Sequence, residues 1–201
     1  MKNYSPSVDR NKDPILEVLQ GYLSQGRLLE IGSGNGQHAV YFAQKLPRIH
    51  WVTTDMKENH PAIKEWLKEA KIPNLHGPEQ LKVGVDDFPK GVFNFVFTAN
   101  TLHIMSWKEA KCLFKLLGKR LREDAVVFIY GPFNYGGEFT STSNETFDQW
   151  LKDRDTNSGV RNFEDVSNNM NKAGFDLLFD HEMPSNNRML VFKRQAYRPK
   201  G

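Results

Sequence analysis

Residues 28–40 read LLEIGSGNGQHAV. A short apolar run, 27–31, ends in glycines at alternate positions, Gly32, Gly34 and Gly36. This is the pattern of a buried strand, a tight turn and then a helix, here over 37–45 (QHAVYFAQK). In open α/β sheets, ligands bind at the carboxyl ends of strands, where the strand order reverses. Glycines in the first such turn let backbone approach a ligand closely. The dinucleotide fingerprint G-x-G-x-x-G would need a third glycine at position 37. Gln37 stands there, and the third glycine comes one residue early. The register therefore argues against a nicotinamide-dependent oxidoreductase.

The elements on either side alternate. Residues 15–23 (ILEVLQGYL) carry helical apolar spacing, with Asp13 as N-cap and Pro14 at the first helical position. Residues 49–54 predict a second strand ending at Asp55, and Pro61 opens a helix to about Ala70. Residues 81–85 (LKVGV) read as a third strand, weakened by Gly84, and 92–98 (VFNFVFT) as a fourth. Ser106 and Glu109 have capping-box spacing before a helix whose apolar face includes Ala110, Leu113, Phe114, Leu117 and Leu121. Residues 125–130 (AVVFIY) predict a fifth strand, followed by a polar segment, 131–145, without regular structure. Helices are expected at 146–152 and 163–173, the second stopped by Gly174. Strands at 176–181 and 188–193 are too closely spaced for a crossover helix, so they predict an antiparallel hairpin. The expected fold is α/β: a seven-stranded, mainly parallel sheet with that hairpin at its end and helices on both faces, in a single domain, 1–201.

Composition narrows the class. The 201 residues are 39% apolar and 25% charged, and 27 Lys+Arg against 24 Asp+Glu leave a net charge of +3. That is ordinary for a globular domain and gives no concentrated basic stripe for nucleic acid. The basic C-terminus (Lys193, Arg194, Arg198, Lys200) reads as a solvated end. One cysteine, Cys112, excludes an internal disulfide and a Cys-cluster zinc site, and no metal site is expected. MKNYSPSVDRNKD is too polar for a signal peptide, and no apolar run has transmembrane length. The expectation is a soluble cytoplasmic protein with no membrane or nucleic-acid partner; the oligomeric state is not legible.

The register Glu30-Ile31-Gly32-Ser33-Gly34-Asn35-Gly36 resembles the E/D-x-G-x-G-x-G loop of class I methyltransferases. The resemblance implies S-adenosyl-L-methionine as cofactor, with Glu30, Gly32, Ser33, Gly34 and Gly36 around it. Glu30 would reach the methionine ammonium or a loop amide. Asp55, 23 residues after Gly32, is placed to accept hydrogen bonds from both ribose hydroxyls. Asp86, or its neighbour Asp87, would meet the adenine amino group. Beyond the loop, RNKDPILEVL, TLHIMSW at 101–107, YGPF at 130–133, TSTSNETFD at 140–148 and MPSNN at 183–187 together resemble the uncharacterised methyltransferase-like family that includes human methyltransferase-like protein 26. Members tend to read Leu-Asp-Val where this chain has Val83-Gly84-Val85, so the family's acid is missing from the third strand.

A small-molecule acceptor is the leading expectation. Methyl transfer needs alignment of the nucleophile and, where it must lose a proton, a base. Asn100 and His103 follow the fourth strand and are the candidate catalytic pair, with Asn100 also near the cofactor. Tyr130, Phe133 and Tyr135 are expected in a lid or substrate wall after the fifth strand. An N-terminal arm, 1–13, is expected to fold over the pocket and bring Arg10 and Asn11 to the cofactor, Arg10 against a carboxylate. Asn186 and Asn187 read equally as turn residues or pocket amides. Two other readings stand beside this one: a regulatory protein that binds the cofactor without transfer, and an RNA methyltransferase.

Overall fold

A computed structural model of the chain describes residues 4–196. They form two compact units, one ending at Ala99 and one beginning at Asn100. In the first unit, α1 (Pro6–Tyr22) leads to β1 (Gly26–Ile31), α2 (Gln37–Lys45) and β2 (Ile49–Asp55). Then follow α3 (His60–Ala70), β3 (Leu75–Gln80) and β4 (Phe95–Ala99). β1 pairs in parallel with β2 on one side and β4 on the other, and β2 pairs in parallel with β3. β1 is therefore central, and Leu28, Leu29, Glu30 and Ile31 are all buried. The chain steps from β1 outward to β3 and returns to β4 on β1's other side. The carboxyl ends of β1 and β4 thus make a topological switch point, where α/β sheets take their ligands.

The second unit contains α4 (Trp107–Arg120), β5 (Val126–Gly131), β6 (Phe133–Asn134) and α5 (Thr142–Arg154). It continues with β7 (Arg161–Asn162), α6 (Phe163–Lys172), β8 (Phe175–Met183) and β9 (Asn187–Arg194). β9 runs antiparallel to both β5 and β8, and β6 and β7 form a separate two-residue parallel ladder. The seven-stranded sheet has the order β3-β2-β1-β4-β5-β9-β8, mainly parallel with the antiparallel hairpin at its end. The expected fold class is the observed one.

Local chemistry explains several ends. The Ser106 hydroxyl accepts from the Glu109 amide at 3.2 Å, and the Glu109 carboxylate accepts from the Ser106 amide at 2.8 Å. This closes the capping box that starts α4. Gly174, at φ 87°, follows the C-cap of α6.

Three expectations are corrected. Helix α1 begins at Pro6, not Pro14, so most of the expected arm is helical; residues 1–3 lie outside the described residues. Val8, Asn11, Ile15 and Leu19 lie at helical spacing and are all buried, and α1 packs on α2. That packing outweighs the interior proline, whose missing N–H and ring usually break a helix. The third strand is Leu75–Gln80, and residues 81–85 are a turn. Gly77 and Pro78 disguised it, but β3 is an edge strand, where proline is tolerated. Gly77 is required there: at φ 108°, a Cβ would lie 2.6 Å from the Thr53 carbonyl oxygen. Finally, 131–145 is ordered by β6, by a Tyr135–Glu138 bridge and by the first turn of α5, so it is not an irregular lid.

Candidate functional site

The glycine loop leaves β1 with Gly32, Gly34 and Gly36 all at positive φ, 74°, 60° and 90°. Gly36 also caps α2 where α3 passes close. A Cβ there would meet the Ile63 Cα at 3.3 Å. The loop is pinned by its own polar groups. The Gly32 and Ser33 amides both donate to the Thr54 carbonyl at 3.0 Å. The Gly34 amide donates to Asp55 Oδ2 at 2.7 Å, while Asp55 Oδ1 accepts from the Met56 amide and from Asn59 Nδ2. Asp55 is thus the anchor that ties the loop to the end of β2.

Glu30 is 2% exposed. Its Oε2 accepts from the Ser33 hydroxyl and from the Trp51 indole N–H, each at 3.0 Å. The partner in the loop is therefore a hydroxyl, not the amide expected. Trp51 packs against Phe42 and Phe97, with ring centroids 5.6 and 5.9 Å away. This apolar surround pushes the Glu30 carboxyl up to about 7, against the lowering effect of its two donors. Among the described residues, neither Glu30 nor Asp55 has an ion-pair partner. Two buried acids flank a backbone cradle. That set suits a cationic, hydroxyl-bearing ligand and repels a pyrophosphate.

The N-terminal helix reaches this loop by routes absent from the sequence reading. Gln37 Oε1 accepts from the Ser5 amide and from Asn35 Nδ2, both at 2.5 Å. Asn11 is buried and meets His38 Nε2 at 2.8 Å. His38 stacks on Phe42 at 5.3 Å, and burial lowers its imidazole to about 4. Asn11 therefore joins α1 to the first turn of α2, while Arg10 is exposed. The GQH run after the glycines and the Asn of RNKDP were the signals for this latch. Asp86 holds the turn after β3, its Oδ2 accepting from the Lys82 amide at 2.6 Å and from Gln80 Nε2 at 3.1 Å.

In the second unit, Asn100 stands at φ 56°, and its amide donates to the Tyr130 carbonyl at 2.9 Å. Asparagine tolerates this left-handed geometry better than most residues, and such residues cluster at functional sites. A Cβ on Gly131 would lie 3.5 Å from His103 Nδ1 and 4.0 Å from Asn100 Oδ1. The structure thus brings Asn100 and His103 together over Gly131. Among the described residues, no group hydrogen-bonds either side chain. His103 is buried edge-on to Phe147 at 5.1 Å, and its carbonyl accepts from the Gly159 amide. Burial, then the Arg161 charge, lowers its imidazole to about 4, so it is neutral at physiological pH.

The expected substrate wall is only partly there. Tyr130 and Phe133 are each 2% exposed and belong to the packed interior. Tyr135 is half-buried, stacks on Phe163 at 5.0 Å and donates to Asp180 Oδ2 at 2.7 Å. Asp180 also pairs with Arg188 at 2.8 Å. Asn186 sits in the β8–β9 turn and accepts through its carbonyl from Asn144, while Asn187, the first residue of β9, donates its side-chain amide back to the turn carbonyls of Pro184 and Ser185. Of the basic C-terminus, Lys193 pairs with Asp124, and Arg194 donates to the carbonyls of Gly118, Ala173 and Gly174. Arg198 and Lys200 lie outside the described residues.

Residues 2–194 match the family described as "Protein of unknown function (DUF938)". The chain belongs to that family. Solved structures share its fold at low identity. The S-adenosylmethionine-dependent methyltransferase SibL in its apo form has TM-score 0.79 and 17% identity over 94% of this chain and 56% of its own. An O-methyltransferase family 2 protein from Planctomyces limnophilus, in complex with apigenin, has TM-score 0.77 and 15% identity over 92% and 56%. PigF with SAH has TM-score 0.77 and 12% identity over 90% and 55%. The chain spans about half the length of these proteins. Among its described residues, no helix is long and apolar enough to cross a membrane.

Proposed function

We propose that this chain is an S-adenosyl-L-methionine-dependent methyltransferase with a small-molecule acceptor, acting in the cytoplasm as a single domain. The observation that carries the reading is the pair of buried carboxylates, Glu30 and Asp55, without cationic partners among the described residues, on either side of the three-glycine loop. The methyltransferases of the same fold support it, as does the resemblance to the methyltransferase-like protein 26 family.

When bound, the cofactor supplies an electrophilic methyl group on sulfonium. The backbone of Gly32, Ser33, Gly34 and Gly36 cradles it. Glu30 provides the negative charge toward its cationic end. The remaining lone pair of Asp55 Oδ2 would accept from a ribose hydroxyl, while Oδ1 and the other lone pair of Oδ2 hold the loop. Asp86 Oδ1, opposite the oxygen used in the turn, is the group for the adenine amino function. Asn11 acts through His38 to set the first turn of α2, and Arg10 is the cation available on α1 for a carboxylate. Asn100 and His103 orient the acceptor. The neutral imidazole accepts a hydrogen bond through one ring nitrogen, and a proton through it if the acceptor must lose one. Tyr135, held by Phe163 and Asp180, and the buried Tyr130 and Phe133 stiffen the acceptor side.

One observation favours a second reading, a cofactor-binding regulatory protein: an imidazole lowered to about 4 is a weak base. Turnover separates the two. The purified protein is incubated with methyl-labelled S-adenosylmethionine and fractionated small-metabolite pools. Transfer of label into a low-molecular-weight product is the expected result; binding without transfer into any pool would leave only the regulatory reading. Label in RNA instead would identify an RNA methyltransferase.

A further inference from the structure

His103 rides on a single turn of chain. The amides of Ile104 and Met105 both donate to the Thr101 carbonyl, at 3.0 and 3.1 Å. The turn stops there, because α4 starts anew at Trp107 from its own cap, Ser106. Its carbonyls, Leu102 to Met105, are therefore left without helical partners, as at a helix C-terminus. One segment, 158–161, meets all four. The Ser158 hydroxyl donates to the Ile104 carbonyl at 2.9 Å, and the Gly159 amide to that of His103 at 2.9 Å. Arg161 supplies the two outer bonds, Nε to the Leu102 carbonyl at 3.3 Å and Nη2 to the Met105 carbonyl.

The clamp is itself held. Asp148 Oδ1 accepts from the Val160 amide at 2.7 Å, and its Oδ2 pairs with Lys152 at 2.6 Å. Arg161 Nη2 also donates to the Asn157 carbonyl at 2.8 Å, and the guanidinium lies 5.9 Å from the Trp107 ring centroid. A planar guanidinium can hold several carbonyls at once in a fixed geometry, which a lysine ammonium cannot do as rigidly. The imidazole needs such help. Among the described residues no hydrogen bond fixes its ring, so its place is set by the turn backbone and by Phe147 edge-on at 5.1 Å. The Arg161 charge also opposes protonation of His103, adding to the larger effect of burial, while Asp148 on α5 is engaged by Lys152.

We infer that Arg161 is a positioning residue: by bonding the carbonyls on either side of His103, it sets the imidazole beside Asn100 and Gly131, where the methyl acceptor is oriented. The use of His103 rests on the methyltransferase reading above; the placement of its ring is tested apart from it.

The test follows ring-labelled histidine by NMR in the whole chain, with and without saturating S-adenosylhomocysteine. The His103 signal is the one lost in His103→Gln. In the unmodified protein it should stay neutral down to pH 5 and show a nuclear Overhauser contact to Phe147. Arg161→Met removes both the fork and the charge, whereas Arg161→Lys keeps the charge and loses the fork. Both should raise the His103 midpoint by on the order of one unit or more, as the released ring meets water, and both should weaken the contact to Phe147. The lysine variant decides alone if the methionine variant does not fold. An unchanged midpoint and contact in both variants would overturn the inference and leave Arg161 a part of the scaffold. A shift in the methionine variant alone would also overturn it, because charge and not placement would then be the whole effect. If S-adenosylhomocysteine fails to bind the unmodified chain, it is the methyltransferase reading that fails, and the histidine titration still decides the role of Arg161.

Discussion

The two units of this protein treat their polar groups in opposite ways. Around the glycine loop every functional side chain already has a protein partner: Glu30 holds Ser33 and Trp51, Asp55 holds Gly34 and Asn59, and Gln37 holds Ser5 and Asn35. In the second unit, the Asn100 and His103 side chains meet beside Gly131 and make no such bonds among the described residues. On the proposed reading, the loop is a site for one constant cofactor built in advance, and its rigidity would lower the ordering cost of binding. On the same reading, the unbonded Asn100 and His103 are left for the variable partner.

Substitutions can break this contrast, the largest effect first. Gly36→Val forces a branched side chain to φ 90° and against the Ile63 backbone. It should cost about 2–4 kcal/mol in urea unfolding and abolish S-adenosylhomocysteine binding in calorimetry. Asp55→Asn puts an amide donor or a weaker acceptor against the Gly34 N–H. It should cost about 1.5–3 kcal/mol and weaken binding by more than tenfold.

Glu30→Gln sharpens the comparison through pH. The folded carboxyl is raised to about 7 from the 4.5 of the unfolded chain. Between those values the folded state keeps a proton that the unfolded state releases, so stability falls as pH rises through this window and levels off above about 7. The glutamine variant removes this loss. Its melting temperature should exceed that of the unmodified protein at pH 8 and match it at pH 4.5. Affinity for the cationic cofactor should rise between pH 6 and 8 in the unmodified protein and be flat in the variant. His103, at about 4, contributes no titration in that range.

The smallest effect belongs to the acceptor end. Gly131→Ala brings a methyl group to 3.5 Å from His103 Nδ1, an ordinary contact, but at φ 159°, a backbone conformation that L residues rarely adopt. Stability should fall by about 1–2 kcal/mol from the backbone strain and cofactor affinity by less than twofold, while acceptor binding beside Gly131 drops several-fold. Equal losses of both would show that the two ends are not separate.

The same contrast governs what the sequence discloses. Glycines at 32, 34 and 36 are a backbone requirement, and backbone geometry is encoded locally, so the loop, β1, α2 and β2 are legible almost to the residue. The capping box at Ser106 is local for the same reason. α1 is not, because Pro14 argues for a break that only packing on α2 overrules. Nor is β3, where Gly77-Pro78 reads as a turn until the neighbouring Thr53 carbonyl is in view. Asn100 and His103 stand out by type and position, but their meeting over Gly131 depends on two strand ends about 30 residues apart in the chain.

Titration calorimetry of S-adenosylhomocysteine, S-adenosylmethionine and NAD into the purified chain tests the central claim most directly. The account predicts saturable one-to-one binding of both sulfur nucleosides, lost in Asp55→Asn and Gly36→Val, and no heat with NAD. Binding of NAD, or no binding of either sulfur nucleoside at millimolar concentration, would contradict it.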